Sequence, residues 1–364
     1  FDVGADVGGP IIKDKLWYYV GVDHAREQWT LTRSIHRTLY EKEGGAWVPQ
    51  TDSNDKYLSE KIGGADDDFT EHFNTLQVIA KLDFRANQNH RFALTGMVSP
   101  EWEENYWANM VASPTAVGAL RNDVNVDGVL NWIATTDDMD FSLDTKIGFH
   151  MQTGYDSGLD GSRLGDSSGE AATPYVRWYN HSVTDFFDFD HGGKCDPLEN
   201  DDGSTVLPCR VSLFYTGGPG WMRDNRLTRL SASTVGNTVQ DFLGEHDLKA
   251  GLDFQLNQFQ QKRGYSGGRS ISEDRWGRGH FYDTRIYGSA VSPSEYTVFD
   301  YLENKTKSLS YGAFLQDSYQ ILVEMLTLNL GFRYDAQFIY SAQGKLAMSL
   351  PNQWSPRIGL IFDP

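Results

Sequence analysis

The chain has 364 residues, of which 13% are aromatic, with 36 glycines and 12 prolines, a composition typical of many strands joined by short turns. Its 32 Lys and Arg against 50 Asp and Glu give a net charge of −18. This charge argues against nucleic acid as a partner, because binding phosphates requires clustered cations. No run of 18 apolar residues exists, so no transmembrane helix is predicted. A membrane-spanning strand needs only about 9–11 residues, so a membrane protein built from strands is still compatible.

Apolar and polar residues alternate strictly in several segments, which is the two-residue period of a strand with two different faces. In the segment 326–335, for example, Leu328, Leu330 and Phe332 alternate with polar residues. The same pattern puts Leu248, Leu252 and Phe254 on one face of another strand. In chain order we predict eleven strands, at residues 2–9, 16–27, 71–85, 91–99, 127–134, 140–153, 226–240, 246–262, 306–319, 326–340 and 354–363.

The connections between these strands fall into two alternating classes. The short ones are 10–15, 86–90, 135–139, 241–245 and 320–325, and the long ones are 28–70, 100–126, 154–225, 263–305 and 341–353. Transmembrane β-barrels have tight turns at the periplasmic end and extended loops at the extracellular end, whereas a soluble sandwich has no reason for this asymmetry. We therefore predict an all-β fold, an antiparallel transmembrane barrel whose apolar face meets outer-membrane lipid. The six apolar residues named above are expected to face outward.

One long connection contains a possible calcium site. Asp123, Asn125 and Asp127 precede Gly128 in the pattern D-x-N-x-D-G, which resembles the first half of a calcium-binding loop. The bidentate glutamate that would complete an EF-hand is replaced by Ala134, so that motif is excluded. A calcium ion that stabilises the loop and an acidic turn are the two alternatives, and no other cofactor is predicted.

Two further features lie in the long connections. Cys195 and Cys209 are the only cysteines and occupy one polar, acidic stretch. We predict a loop disulfide in an oxidising compartment, with two unpaired thiols as the alternative. Several tryptophans in the loops are candidates either for stacking on an extracellular ligand or for packing the loops together. These are Trp47, Trp102, Trp107, Trp178, Trp221 and Trp276.

Catalytic motifs are missing from the sequence. A glycoside hydrolase needs one carboxyl pair at a defined separation, whereas the acidic residues here are spread through every loop. No G-x-S-x-G, H-E-x-x-H or phosphate-binding loop occurs, and Gly264-Tyr265-Ser266-Gly267 has the wrong spacing for a nucleophile elbow. The chain is therefore not expected to be an enzyme.

Four stretches resemble the TonB-dependent receptors of the Oar-like branch. The first is Val7-Gly8-Gly9-Pro10-Ile11-Ile12-Lys13-Asp14-Lys15-Leu16-Trp17-Tyr18-Tyr19, which is similar to the first barrel hairpin of that family. The other three are Gly312–Asp317, Leu326–Asp335 and Trp354–Leu360. Their order and spacing match the family as well.

The resemblance implies a 22-stranded outer-membrane barrel filled by an N-terminal plug and opened by the TonB system. The whole chain, 1–364, then corresponds to the first half of one barrel domain without the plug, and we expect further sequence on both sides. The implied function is energised import of a ligand too large for porins, such as a peptide, protein or glycan. An adhesin or structural barrel that binds a partner without transport is the alternative, and a passive porin is a weaker third possibility.

Overall fold

A computed structural model describes residues 1–105, 111–275, 279–293, 295–322 and 325–362. Its main feature is a single sheet of eleven long strands. We number them β1 (Asp2–Ile12), β2 (Leu16–Arg33), β3 (Asp67–Arg85), β4 (His90–Glu104), β5 (Ala119–Thr135), β6 (Phe141–Gly158), β7 (Trp221–Asp241), β8 (Glu245–Tyr265), β9 (Leu302–Leu322), β10 (Leu326–Tyr340) and β11 (Leu346–Phe362). Among the described residues, no helix is long and apolar enough to span a membrane.

Each strand of the large sheet pairs antiparallel with its neighbours in the chain, in the order β1 to β11. The sheet is therefore a continuous series of hairpins, as in the wall of an up-and-down barrel. Most strands have 15 to 21 residues, more than a membrane crossing requires. The predicted fold, an antiparallel barrel segment of eleven strands, is confirmed.

The register keeps apolar and polar residues on opposite faces across neighbouring strands. One row across the sheet joins Leu252 to Ala313, Tyr334 and Trp354. The row one residue away joins Asp253 to Gly312, Asp335 and Gln353 on the other face. Leu252 is 60% exposed on the apolar side, so this face is not covered by any other described layer of the chain. A sheet with one bare apolar face and one polar face is what a membrane barrel requires.

The six residues predicted to face outward all lie on this apolar face. Leu252 and Phe254 are exposed in the middle of β8, and Leu330 and Phe332 are exposed in β10. The other two, Leu248 and Leu328, are half-buried on the same face.

The predicted alternation of short and long connections is correct except at the last hairpin. Residues 341–345 form a tight turn in which the Ser341 amide donates to the Lys345 carbonyl oxygen over 2.8 Å. β11 therefore begins at Leu346, and the predicted long connection 341–353 is wrong. Pro351 lies within a register shift between β10 and β11, where ladder bonds are interrupted and a proline is tolerated inside a sheet.

The other four long connections fold into smaller elements at one end of the sheet. We call the connections 34–66, 105–118, 159–220 and 266–301 together the cap. Its strands are His36–Thr38, Tyr40–Glu43, Ala46–Pro49, Ser59–Lys61, Tyr175–Ser182, Leu198–Glu199, Thr205–Val206, Arg210–Gly217, Ser270–Glu273, Phe281–Thr284, Tyr287–Ser292 and Glu295–Phe299. Its helices are the single α-turn Pro114–Val117 and the 3₁₀ turns Glu170–Ala172, Val183–Asp185 and Ser266–Gly268.

Candidate functional site

The cap has a small apolar core that includes the disulfide. Cys195 and Cys209 are bonded, with their Cα atoms 5.1 Å apart, which confirms the predicted pairing. Both cysteines are 1% exposed and pack with Ile62, Ala65 and Val183. Because Ile62 and Ala65 come from the first long connection and the cysteines from the third, this core fastens two connections to each other.

Ion pairs join the same two connections. Glu60 pairs with Lys194 over 2.7 Å and with Arg37 over 2.6 Å. Hydrogen bonds from the two cations hold the pKa of the Glu60 carboxyl below its usual value. Lys42 also pairs with Asp201 over 2.7 Å. The pairs are exposed or half-buried and each contributes little alone, but together with the disulfide core they hold the connections in one arrangement.

A four-stranded sheet forms the centre of the cap. Its order is Arg210–Gly217, Tyr175–Ser182, Ser270–Glu273 and Phe281–Thr284, so the third and fourth long connections contribute two strands each. One face is aromatic and closed. Trp178 packs against Phe281 with ring centroids 5.2 Å apart, and Phe186 stacks on Phe214 at 4.1 Å.

The opposite face of this sheet is polar and open. The residues of the middle strand Ser270–Glu273 that point to this face are serines, and most of their neighbours on the adjacent strands are larger. The register places Ser272 between Arg177 and Tyr282, and Ser270 between Tyr175 and Thr284. A cavity of about 740 Å³ lies over this face. We call it the trough, and its principal lining residues are Arg177, Tyr179, Ser270, Ser272, Tyr282 and Thr284.

A group of stacked tyrosines lies at one end of the trough. Tyr175 stacks on Tyr215 with ring centroids 5.2 Å apart and on Tyr265 at 6.2 Å. Burial raises the pKa of Tyr175 well above its usual value, so the phenol stays neutral. Tyr265 is the last residue of β8, where alternation places it on the same face as Arg263 and Asp253, the polar face of the large sheet. The trough is thereby connected to the polar side of the barrel wall.

A buried carboxylate fixes the other end of the trough. The Glu273 side chain is 1% exposed and lies 2.7 Å from Nε2 of His181. It also accepts hydrogen bonds from the backbone amides of Tyr179, at 3.1 Å, and Gly279, at 3.0 Å. This carboxylate is therefore fully engaged in joining the third and fourth connections.

The three residues of the predicted calcium site lie within β5, not in a loop. Asp123 and Asp127 are four residues apart on one face of an extended strand, about 13 Å, which is too far for both to bind one ion. Asp123 pairs instead with Arg223 over 2.8 Å, and Asp127 contacts Nδ1 of His150 at 2.8 Å. Asn125 lies between them on the same face. No group of three or more His, Cys, Asp or Glu in the described part of the chain is placed to hold a metal.

The polar face of the barrel wall near the cap carries a charge network around Asp156. This carboxylate is 4% exposed and lies 3.2 Å from Arg121 and 3.5 Å from Arg223. Arg223 also holds Asp123, so the first aspartate of the predicted calcium motif has a structural partner.

The predicted tryptophans are distributed between the cap and the barrel wall. Trp178 belongs to the closed face of the cap sheet, and its Nε1 donates to Thr216 over 2.7 Å. Trp47 Nε1 donates to the carbonyl oxygen of Glu199 over 3.2 Å, which ties two connections together. Trp102 stacks on His24 in the wall, and Trp221 packs edge-on against Tyr265 at 5.2 Å. Trp107 and Trp276 lie outside the described residues.

The chain is similar along its whole length to one curated protein. It is 32% identical to the TonB-dependent transporter Oar of Myxococcus xanthus over 383 aligned residues, which cover all of this chain and 36% of that protein. No protein-family model matches the sequence. The chain thus spans little more than a third of the length of this relative.

Solved structures of two other bacterial proteins have a similar fold. The outer-membrane transporter YddB of Escherichia coli matches with a TM-score of 0.58 at 12% identity, covering 99% of this chain and 35% of that one. FpvA of P. aeruginosa, solved in complex with a pyoverdine, matches with a TM-score of 0.53 at 10% identity, covering 100% and 38%. At these identities the likeness concerns the fold alone.

The bare apolar face, the antiparallel hairpins and the folded long connections define an outer-membrane β-barrel wall. Along its whole length, the chain is similar to part of Oar, a TonB-dependent transporter. The location of this chain is the bacterial outer membrane, and the cap lies on the extracellular side.

Proposed function

We propose that this chain forms part of a TonB-dependent transporter that captures an extracellular ligand with its cap and imports it through the barrel. The similarity to Oar over the whole chain is the observation that carries this proposal. The cap adds support, because four long connections fold into one body with a disulfide, a shared core and an open polar trough. Rigid loops reduce the entropy lost when a ligand binds.

The proposal assigns TonB and an extracellular ligand as partners and includes no catalytic step. The buried carboxylates nearest the trough and the wall, Glu273 and Asp156, are both held by cationic or hydrogen-bonding partners. In the proposal both carboxylates have a structural role, because they hold the connections and the barrel wall in place.

An uptake experiment in cells tests the proposal. A size-fractionated mixture of peptides and oligosaccharides above the porin limit is supplied to wild-type cells, to a strain lacking the gene and to a strain lacking TonB. Mass spectrometry of the medium should show that at least one component is depleted only by the wild type. If depletion is equal in all three strains, transport is refuted. Surface binding that requires the gene but not TonB supports the adhesin alternative instead.

A further inference from the structure

We propose that the trough binds an acidic oligosaccharide, whose carboxylates pair with Arg177 and Arg275. This inference deepens the proposed function by naming the ligand class, and it rests on that function. The trough can hold such a ligand because its volume of about 740 Å³ is within the usual range of ligand pockets. It is also assembled from two connections, so its shape depends on the folded cap.

The shape of the trough suits an extended ligand. Ser270 and Ser272 make its floor, and the four-residue strand that carries them runs for about 13 Å. Arg177 and Tyr179 form one wall, and Tyr282 forms the other. A ligand lying along the floor would meet hydroxyl groups beneath it and rings or a guanidinium at its sides.

The charges of the trough favour an anion. Both carboxylates that line it, Glu273 and Asp274, already have partners. Arg177 makes no ion pair with a carboxylate of the described residues. Its Nε is buried without a hydrogen-bond partner, and its Nη2 reaches the Tyr265 hydroxyl only at 3.4 Å. Arg275 also lines the trough, so two guanidinium groups are available to a ligand.

The chain has a net charge of −18, so two guanidinium groups that line one cavity without a carboxylate partner among the described residues mark a place where an anion can bind. Elsewhere in the cap, Arg37 and Arg269 each pair with an acidic side chain. Guanidinium groups bind carboxylates through two parallel hydrogen bonds, a geometry that an ammonium group cannot provide. A carboxylate on the ligand would approach Arg177 through its terminal nitrogens, because the Nε atom itself is buried.

The remaining lining residues favour a sugar over a peptide. Three tyrosines and three hydroxyl side chains surround the trough, and Ile286 is its one aliphatic side chain among the described lining residues. Tyrosine rings stack on the flat faces of sugars, and serine and threonine hydroxyls bond to sugar hydroxyls. An extended peptide would instead add to a strand edge, and the free edge of Phe281–Thr284 lies in the plane of the sheet rather than over the trough.

A binding experiment on the complete receptor, purified in detergent, tests the inference. The probes are an oligogalacturonate, a neutral dextran oligomer of equal length and a short poly-glutamate, each titrated by calorimetry. We expect the oligogalacturonate to bind and the dextran to bind at least about tenfold more weakly, because charge-assisted hydrogen bonds are lost. Stronger binding of poly-glutamate would overturn the assignment in favour of an acidic peptide. Absence of oligogalacturonate binding to the wild type would overturn it outright.

Three variants locate the binding. Arg177→Gln should weaken oligogalacturonate binding at least about tenfold, and Ser272→Leu should abolish it by filling the floor. Arg269→Gln is the matched control, because Arg269 immediately precedes the strand Ser270–Glu273 and pairs with Asp283, a residue that does not line the trough. The control should bind like the wild type. Equal binding by Arg177→Gln and Arg269→Gln contradicts the inference, provided that both keep the protease resistance of the wild-type cap.

Failure here and failure of the proposed function give different results. If the purified receptor does not bind oligogalacturonate, the inference fails, but TonB-dependent depletion of other compounds can still be observed in the cell assay. Loss of that depletion, with oligogalacturonate still bound by the purified receptor, refutes transport and not the site.

Discussion

Replacing Leu252 by arginine should destabilise the barrel far more than the same change on the other face of β8. The outward residues of β8 are apolar from Leu248 to Leu256, a length of about 26 Å along the strand. With a tilt of about 40°, this band is about 20 Å tall, close to that of outer-membrane barrels. Leu252 is its midpoint and is 60% exposed on the lipid side. Arginine at the midplane costs about 2–4 kcal/mol.

The matched control is Gln255→Arg, because Gln255 lies three residues further along β8 on the polar face. That substitution should cost less than about 0.5 kcal/mol, as polar-face positions are in contact with water. Both variants of the complete receptor are folded into lipid vesicles and titrated with urea, and the folded fraction is read from migration of unheated samples on gels. Leu252→Arg should shift the folding equilibrium by about 30- to 700-fold. Equal costs at the two positions, or a larger cost for Gln255→Arg, would show that the faces are assigned wrongly.

Three further predictions concern the cap. Replacing both cysteines by alanine should destabilise the cap locally by about 3 kcal/mol, because the disulfide closes a loop between residues 14 apart in sequence. Hydrogen exchange in the third connection should become faster, whereas the urea resistance of the barrel should not change. The ion pairs of Glu60 should persist until the pH falls below about 4.3, the usual carboxyl pKa, because the pKa of Glu60 is lowered and the ionised form stabilises the fold above it. Protease accessibility of the first connection, measured against pH, tests this. Glu60→Gln should remove the pH dependence. Gly217→Ala should destabilise the cap sheet by more than about 1 kcal/mol, because the φ of Gly217 is +88° and a Cβ would clash with the Pro174 carbonyl. Gly193→Ala is the control: its φ is also positive but the space around it is more open, so it should cost less, as measured by thermal melts of the cap.

The sequence by itself determined the barrel wall. Side chains alternate between the two faces of a strand, so the face on which Leu252 or Asp253 lies can be predicted from the adjacent residues in the sequence. The disulfide could also be predicted from the sequence, because Cys195 and Cys209 are the only two cysteines in the chain. The ends of the strands could not be predicted, because the alternation of apolar and polar residues stops where a strand extends beyond the membrane. For that reason the strand β5 was predicted to start at residue 127 and the calcium motif to lie in a loop, whereas the strand starts at Ala119.

Only the tertiary structure decided the arrangement of the cap. Arg177 and Ser272 are nearly a hundred residues apart and belong to different connections, yet the register places them side by side. Neither local sequence indicates this pairing. It forms because the barrel wall fixes where each connection begins and ends, and the connections then fold together. Periodicity is a local property that the chain carries everywhere, whereas a site assembled from distant segments exists only after those segments have packed.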